Sequence, residues 1–230
     1  MHKQFVLLTA LLLSFTAGVH AQTVEEKLVT VGVRAGANLQ KIYGDDFLGK
    51  KLEYDWQPGF HAGLTADLLV SELFYLQPGL FYTTKGAQKN NGDVKQTQTL
   101  SYIELPLNLL LKPRLGGGKL LVGAGPYVAY AIAGKNKIKS GNAAIELDAV
   151  FKEKITAVEY ASAFLNSAYF VKPWDFGGNV LLGYELKSGF LLQINGQAGL
   201  YKINPRVEGV EADKSKWSNI GVGASIGFKF

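Results

Sequence analysis

The 230-residue sequence contains no cysteine. That absence excludes a disulfide scaffold, a thiolate zinc or iron–sulfur centre, a cysteine nucleophile and a lipid anchor attached through cysteine. Charge is sparse too: the 24 basic and 19 acidic side chains are 19% of the chain, against about 25% in soluble domains. Of three histidines, His2 and His20 lie near the N-terminus, so a serine–histidine–acid arrangement would have to use His61. Long apolar runs are missing beyond the first 21 residues. Leu120–Gly134 is uncharged but broken by Gly123, Gly125 and Pro126, and a spanning helix needs roughly 20 residues. No glycine-rich loop leads from a strand into a helix, which removes the usual phosphate-binding motifs.

What is present begins with a targeting segment. Lys3 precedes an uncharged, mainly apolar run from Phe5 to Val19, and Ala21 stands where cleavage is expected. Residues 1–21 therefore read as a secretory leader and 22–230 as the mature domain. The net charge of +5 is no sign of a nucleic-acid partner in an exported chain. With no spanning helix, such a chain can cross a membrane only as strands.

The mature chain alternates with period two. Val29, Val31, Val33, Ala35, Ala37 and Leu39 interleave with Thr30, Gly32, Arg34, Gly36, Asn38 and Gln40, one apolar and one polar or glycine face. Seven further segments behave alike, around Gly59–Leu68, Phe74–Thr83, Tyr102–Leu111, Leu120–Tyr130, Trp174–Glu185, Phe190–Tyr201 and Ile220–Phe230. Segments of this length cross a bilayer when tilted, and eight is an even number, as single-chain bacterial barrels require. The connections alternate between short ones at Ser71-Glu72, Gly116–Gly118 and Lys187–Gly189 and long ones at Lys41–Gln57, Gly86–Thr99, Gly134–Lys172 and Ile203–Lys216. Short turns at one end and long loops at the other is the outer-membrane arrangement, and it places the apolar face toward lipid. Trp56, Trp174 and Trp217, each where a strand leaves a long loop, are expected to form one aromatic girdle. Trp217 is out of step with Ile220 and needs a bulge or a loop position.

Several motifs carry a family resemblance: Gly32-Val33-Arg34-Ala35-Gly36-Ala37-Asn38, Phe74-Tyr75-Leu76-Gln77-Pro78-Gly79-Leu80, Tyr102-Ile103-Glu104-Leu105-Pro106-Leu107 and Gly125-Pro126-Tyr127. From Val29 to Phe230 the chain resembles the PorT-like outer-membrane β-barrel ("porin family") proteins. The resemblance implies an all-β fold, an eight-stranded antiparallel up-and-down transmembrane barrel in a Gram-negative outer membrane, with short periplasmic turns and long extracellular loops. Some relatives serve protein secretion. Phe230, closing an alternating strand, resembles the signal read by the barrel insertion machinery.

An eight-stranded barrel is just wide enough for side chains to fill its interior. The face opposite the lipid carries Arg34, His61, Asp67, Lys85, Glu104, Lys112, Asp175, Glu185 and Lys229, with Tyr75, Phe81 and Tyr127. Charges in such an interior must be paired, so ion pairs plugging the barrel are expected, with Arg34–Glu104 the first pair. A gated or proton-conducting path is the competing view of the same residues. His61 reads as a hydrogen-bonded filler rather than a general base. Asp45, Asp46, Glu53 and Asp55 have Lys41, Lys50 and Lys51 among them and read as a solvated loop, not a metal site. No cofactor is expected.

The third loop, about residues 134–172, is too long to be structureless. Ile145, Leu147, Ala149 and Phe151 alternate like a strand, while Leu147, Phe151, Ile155, Val158 and Leu165 would line a helix. Strands extended above the membrane, a cap over the mouth, and two additional membrane strands all fit. The expectation is a monomeric structural or binding protein of the envelope that acts through its loops in secretion or adhesion, not an enzyme. Its surroundings would be outer-membrane lipid and lipopolysaccharide, which Lys135, Lys137 and Lys139 could meet, and a protein partner would sit at the third loop. A narrow passive channel is the alternative, and a lipid-modifying enzyme the distant third.

Overall fold

The computed structural model describes residues 27–163, 165–210 and 213–230, and the expected leader lies outside them. The period-two segments are strands, and most run further than the apolar alternation does. In chain order the elements are β1 (Val29–Asp45), β2 (Gln57–Ser71), β3 (Phe74–Asn91), β4 (Val94–Leu111), β5 (Gly118–Ser140), β6 (Ala143–Phe151), α1 (Ala157–Ser162), β7 (Ala168–Val171), β8 (Trp174–Leu186), β9 (Phe190–Gly199) and β10 (Lys216–Lys229). Among the described residues no helix is long and apolar enough to cross a membrane.

Pairing runs from β1 through β2, β3, β4, β5, β8, β9 and β10, always antiparallel. It then returns to β1, where Gly32 faces Lys229 and Asp45 faces Lys216. This circuit encloses an interior. Alternation fixes which side chains enter it, because each residue along a strand points opposite to the last. Leu64, Leu105, Val180, Leu192 and Ile226 are exposed on the outside, while Asp67, Tyr75, Lys85, Leu110 and Asp175 are buried within.

Two of the glycines make room for specific inward side chains. A Cβ on Gly32 would stand 2.5 Å from Cδ of Lys229, and one on Gly177 would stand 2.6 Å from the Tyr127 ring. Both side chains cross a neighbouring strand over bare backbone.

The second expected loop, Gly86–Thr99, is not a loop. β3 and β4 stay paired to Asn91 opposite Val94, turning at Gly92 with φ +56°. Gln88, Lys89, Asn90, Lys95 and Gln96 make this extension polar on both faces, so no apolar alternation marks it. The third loop combines strand and helix. β5 extends to Ser140, and β6 folds back on it antiparallel. Thr156 and Glu159 form a capping box that starts the short α1. β7 then lies parallel to β6. β6 and β7 stand beside the closed circuit rather than in it. Residues 154–155 pair with 206–207, stitching the third and fourth connections together.

Candidate functional site

The interior holds two clusters of charge. Toward the short-turn end, Asp67 on β2 has no exposed side-chain surface and lies between two lysines. Lys229 Nζ donates to its Oδ1 at 2.6 Å and Lys112 Nζ to its Oδ2 at 2.9 Å. Gln77 Nε2 adds a third bond to Oδ1 at 2.8 Å. Lys112 also reaches Glu185 Oε2 at 2.8 Å and lies 4.7 Å above the Tyr75 ring. Lys229 donates in addition to Thr65 Oγ1 at 2.9 Å.

Closer to the loops, the ammonium of Lys85 lies 2.9 Å from Asp175 Oδ2 and 2.8 Å from Glu104 Oε2. It sits 4.1 Å from the centre of the Tyr127 ring, a cation–π contact on a third side. Tyr127 Oη donates to Asp175 Oδ1, Asn219 Nδ2 donates to Asp175 Oδ2, and Gln197 Nε2 donates to Glu104 Oε1. The side chains of Lys85 and Asp175 are wholly buried.

Arg34 does not bridge Glu104. Its Nη1 donates to Gln193 Oε1 at 2.6 Å, and its guanidinium lies 4.6 Å from the centre of the Phe81 ring. Lys85, on the strand next to Glu104, takes that carboxylate instead. His61 packs edge-on to Phe81 at 6.1 Å, with no partner for Nε2. Arg34, Lys85, Lys112 and Lys229 are matched in number by Asp67, Glu104, Asp175 and Glu185, so their charges cancel. The uncharged partners Gln77, Gln193, Gln197 and Asn219 were not singled out from the sequence. All but Asn219 lie in the polar half of an alternating segment, which is the signal that finds them.

Above the Lys85 cluster the interior becomes apolar. Ile42, Leu100, Tyr102, Ala131, Tyr169 and Ile203 belong to one buried core reaching into the loop end. Apolar side chains thus pack across the interior at this level, and buried Gln98 and Asn136 lie beyond them toward the loops. This layer also corrects the aromatic girdle. Trp174 is exposed beside Tyr130 and Phe176, at 4.8 and 5.8 Å between ring centres, and Trp56 is exposed too. Trp217 instead packs against the interior core, with Nε1 buried and unpaired. Its backbone is in register with Gly44 without a bulge. Being out of step with Ile220 turns it inward rather than out of the strand.

Loop charges are locally occupied. Lys135 and Lys137 both reach Glu146, holding its carboxyl below the usual range chiefly by hydrogen bonding. The Lys51 ammonium does the same to Asp45, and Asp46 accepts the backbone N–H groups of Leu48 and Lys50. Among the described residues no group of three His, Cys, Asp or Glu is placed to hold a metal ion.

Among solved structures, the chain is similar to Ail, the attachment invasion locus protein of Yersinia pestis. The two are 10% identical, with 89% of this chain and 100% of that one covered and a TM-score of 0.41. Neisserial surface protein A is 14% identical over 87% of this chain and 97% of its own, with a TM-score of 0.44. OprG of Pseudomonas aeruginosa is 14% identical over 89% and 97%, with a TM-score of 0.43. No curated protein sequence matches the chain. The family model of the outer membrane protein beta-barrel domain matches residues 11–204, well over half of the sequence. The chain belongs to that outer-membrane β-barrel family, and its place is the outer membrane of a Gram-negative bacterium.

Proposed function

We propose that the protein is an eight-stranded up-and-down barrel that does not conduct solutes and serves the envelope as a structural or binding protein through its loops. The short turns lie in the periplasm and the long loops outside the cell. The observation that carries this reading is the interior itself. Lys85 is held by two carboxylates and an aromatic ring with no exposed side-chain surface, beneath an apolar layer at the mouth. Water and ions crossing there would have to break charge pairs and part an apolar core, both costly in a low-dielectric interior.

Planar-bilayer recording on purified protein tests the closed lumen. The expected trace shows no stable conductance steps, and a reproducible stable step supports the narrow passive channel instead. Pull-down from detergent-solubilised envelopes, with the whole chain and a variant lacking α1, tests the loops. Capture of a partner only by the whole chain is the expected result.

The finer kinship with PorT-like barrels belongs to this proposal and rests on the strand motifs. So do a leader removed after Ala21, engagement of the insertion machinery through the strand ending at Phe230, and a monomeric state in outer-membrane lipid and lipopolysaccharide. N-terminal sequencing that begins at Gln22 and native mass spectrometry in micelles test the first and third of these.

A further inference from the structure

The outer wall of the barrel is unevenly covered. A groove of about 720 Å³ opens across β1, β10, β9 and β8. A second hollow of about 600 Å³ continues it toward the short turns, sharing Leu182, Ile194 and Ala224. Register explains the depth. One outward row runs Leu39–Val222–Gly196–Val180, and the next, toward the short turns, runs Ala37–Ala224–Ile194–Leu182. Gly196 has no side chain, and Ala37 and Ala224 have one methyl each. These three make a diagonal trough between Leu39 and Val222 on one bank and Ile194 and Leu182 on the other.

The row above, toward the loops, is Lys41–Ile220–Ala198–Gly178. Lys41 therefore shares the outward face of β1 with Leu39, about 7 Å further along the strand. From Val29 to Leu39 the outward positions of β1 carry no charge, so Lys41 is the first cation met on leaving the groove. Among the described residues it pairs with no carboxylate, and the acid on the same face, Asp45, is held by Lys51 at 2.7 Å. Tyr43, the next outward residue, reaches across β10 and donates from Oη to Gly199 O at 2.8 Å, fixing the rim above.

We infer that this groove seats one acyl chain of an anionic lipid in the leaflet at the loop end, with the Lys41 ammonium as counter-charge to its head group. Every lipid touches the outer wall, but a chain passing over a trough misses contacts that a chain lying in it makes along its length. Apart from Asn38 and Asn195, whose side chains belong to the inward face, the lining is apolar or glycine, so the seated part is hydrocarbon. A lysine at the edge of the apolar belt lays its methylenes on that surface and lifts its ammonium to head-group level, where a negative head group is attracted. With the loops outside the cell, that lipid is the phosphorylated acyl anchor of lipopolysaccharide. A second copy fits less well, since a two-fold pairing would set hollow against hollow and leave a void. The inference deepens the proposed setting in outer-membrane lipid and is independent of whether the lumen conducts.

The test uses the full mature chain refolded in detergent micelles free of envelope lipid, with heat-modifiable migration on gels as the check of folding. Native mass spectrometry reads retention of four probes: bis-phosphorylated lipid A, the same lipid A stripped of phosphate, phosphatidylglycerol and inorganic phosphate. One bis-phosphorylated lipid A should be retained, the stripped form about fivefold more weakly, the worth of one cation at an anionic surface, and inorganic phosphate not at all. Lys41→Gln should erase the difference between the two lipid A forms. Gly196→Val with Ala37→Leu fills the trough and should weaken both forms about tenfold. A Cβ at position 196 meets only Val180, at 3.5 Å, so the fold has room for it. If this pair does not fold, Ala224→Leu alone gives the same readout. Lys139→Ala, near the tip of the β5–β6 hairpin, should change nothing. Equal retention of both lipid A forms by the parent, unaltered retention in the filled variant, or preference for phosphatidylglycerol overturns the proposal. So does a dimer that the filled variant abolishes. Labelling of Lys139 on intact cells by a membrane-impermeant amine reagent tests the orientation separately. Its failure would sink the outward placement of the loops and leave the result on purified protein standing.

Discussion

Lys229, the penultimate residue, donates from Nζ to Asp67 Oδ1 at 2.6 Å and so ties the last strand to the second across the full width of the first. The crossing is possible because Gly32 on β1 presents no side chain beneath it. One carboxylate thus organises three strands, since Lys112 at the end of β4 binds its other oxygen.

Asp67→Asn should be strongly destabilising, because it leaves Lys112 and Lys229 in the interior without their shared counter-charge. The expected cost is about 3–5 kcal/mol, the usual scale for breaking a buried pair from one side. Urea unfolding in micelles measures it. Adding Lys229→Met to Asp67→Asn should restore part of the loss, and an Asp67→Asn protein as stable as its parent would contradict the account.

Gly32→Val tests the crossing itself. The new side chain meets the Lys229 methylenes and the Phe228 carbonyl, and overpacking of this kind costs about 1–3 kcal/mol. In a Lys229→Ala background the same substitution should cost less. A double-mutant cycle reads the coupling directly.

Lys85→Met leaves Glu104 and Asp175 unneutralised beneath the apolar layer. A loss of about 3–5 kcal/mol is expected, seen as a lower temperature for the heat-modifiable shift. The triple variant Lys85→Met, Glu104→Gln, Asp175→Asn removes the charges together and should recover most of the stability. If the triple variant is no better than the single one, charge imbalance is not the cause.

The tryptophans should divide by environment. In single-tryptophan variants reconstituted with brominated lipid, Trp174 should be strongly quenched and Trp217 hardly at all, because one faces outward among aromatics and the other packs inside. Equal quenching of the two would return Trp217 to the outer belt.

Acid should act on the β5–β6 hairpin through Glu146. Its carboxyl is held below the usual range by Lys137 first and Lys135 second. A lowered folded value means that the stabilisation is fully present above the unfolded carboxylate pKa and is lost as pH falls through the folded value. The protection of the hairpin amides, measured relative to their intrinsic exchange at each pH, should therefore fall only in acid. Glu146→Gln should remove that dependence, and high salt should blunt it, since the pair is exposed.

The closed circuit was legible because lipid and a filled interior impose opposite demands on alternate residues, as Val29–Gln40 displays most plainly. The same parity placed Lys85, Glu104 and Asp175 on one side of their strands. Parity fixes the side but not the height or the partner, so it cannot separate an Arg34–Glu104 pair from the Lys85–Glu104 pair that forms between neighbouring strands. The extensions of β3 and β4 left no mark, because polar residues on both faces carry no period in hydrophobicity. Trp217 departs from the expectation that a tryptophan at a loop–strand junction faces lipid. Its parity against Ile220 is the sequence feature that marks the inward placement.

The apolar layer beneath the loops has a practical consequence for display. Because Leu147, Tyr169 and Ile203 help build that layer, the loop end behaves as a pedestal, and grafts that consume these positions would collapse it. The tips at Gly92 and Gly141 differ, since an added Cβ there meets nothing within 4 Å. Foreign epitopes inserted at those two points would ride on an undisturbed platform.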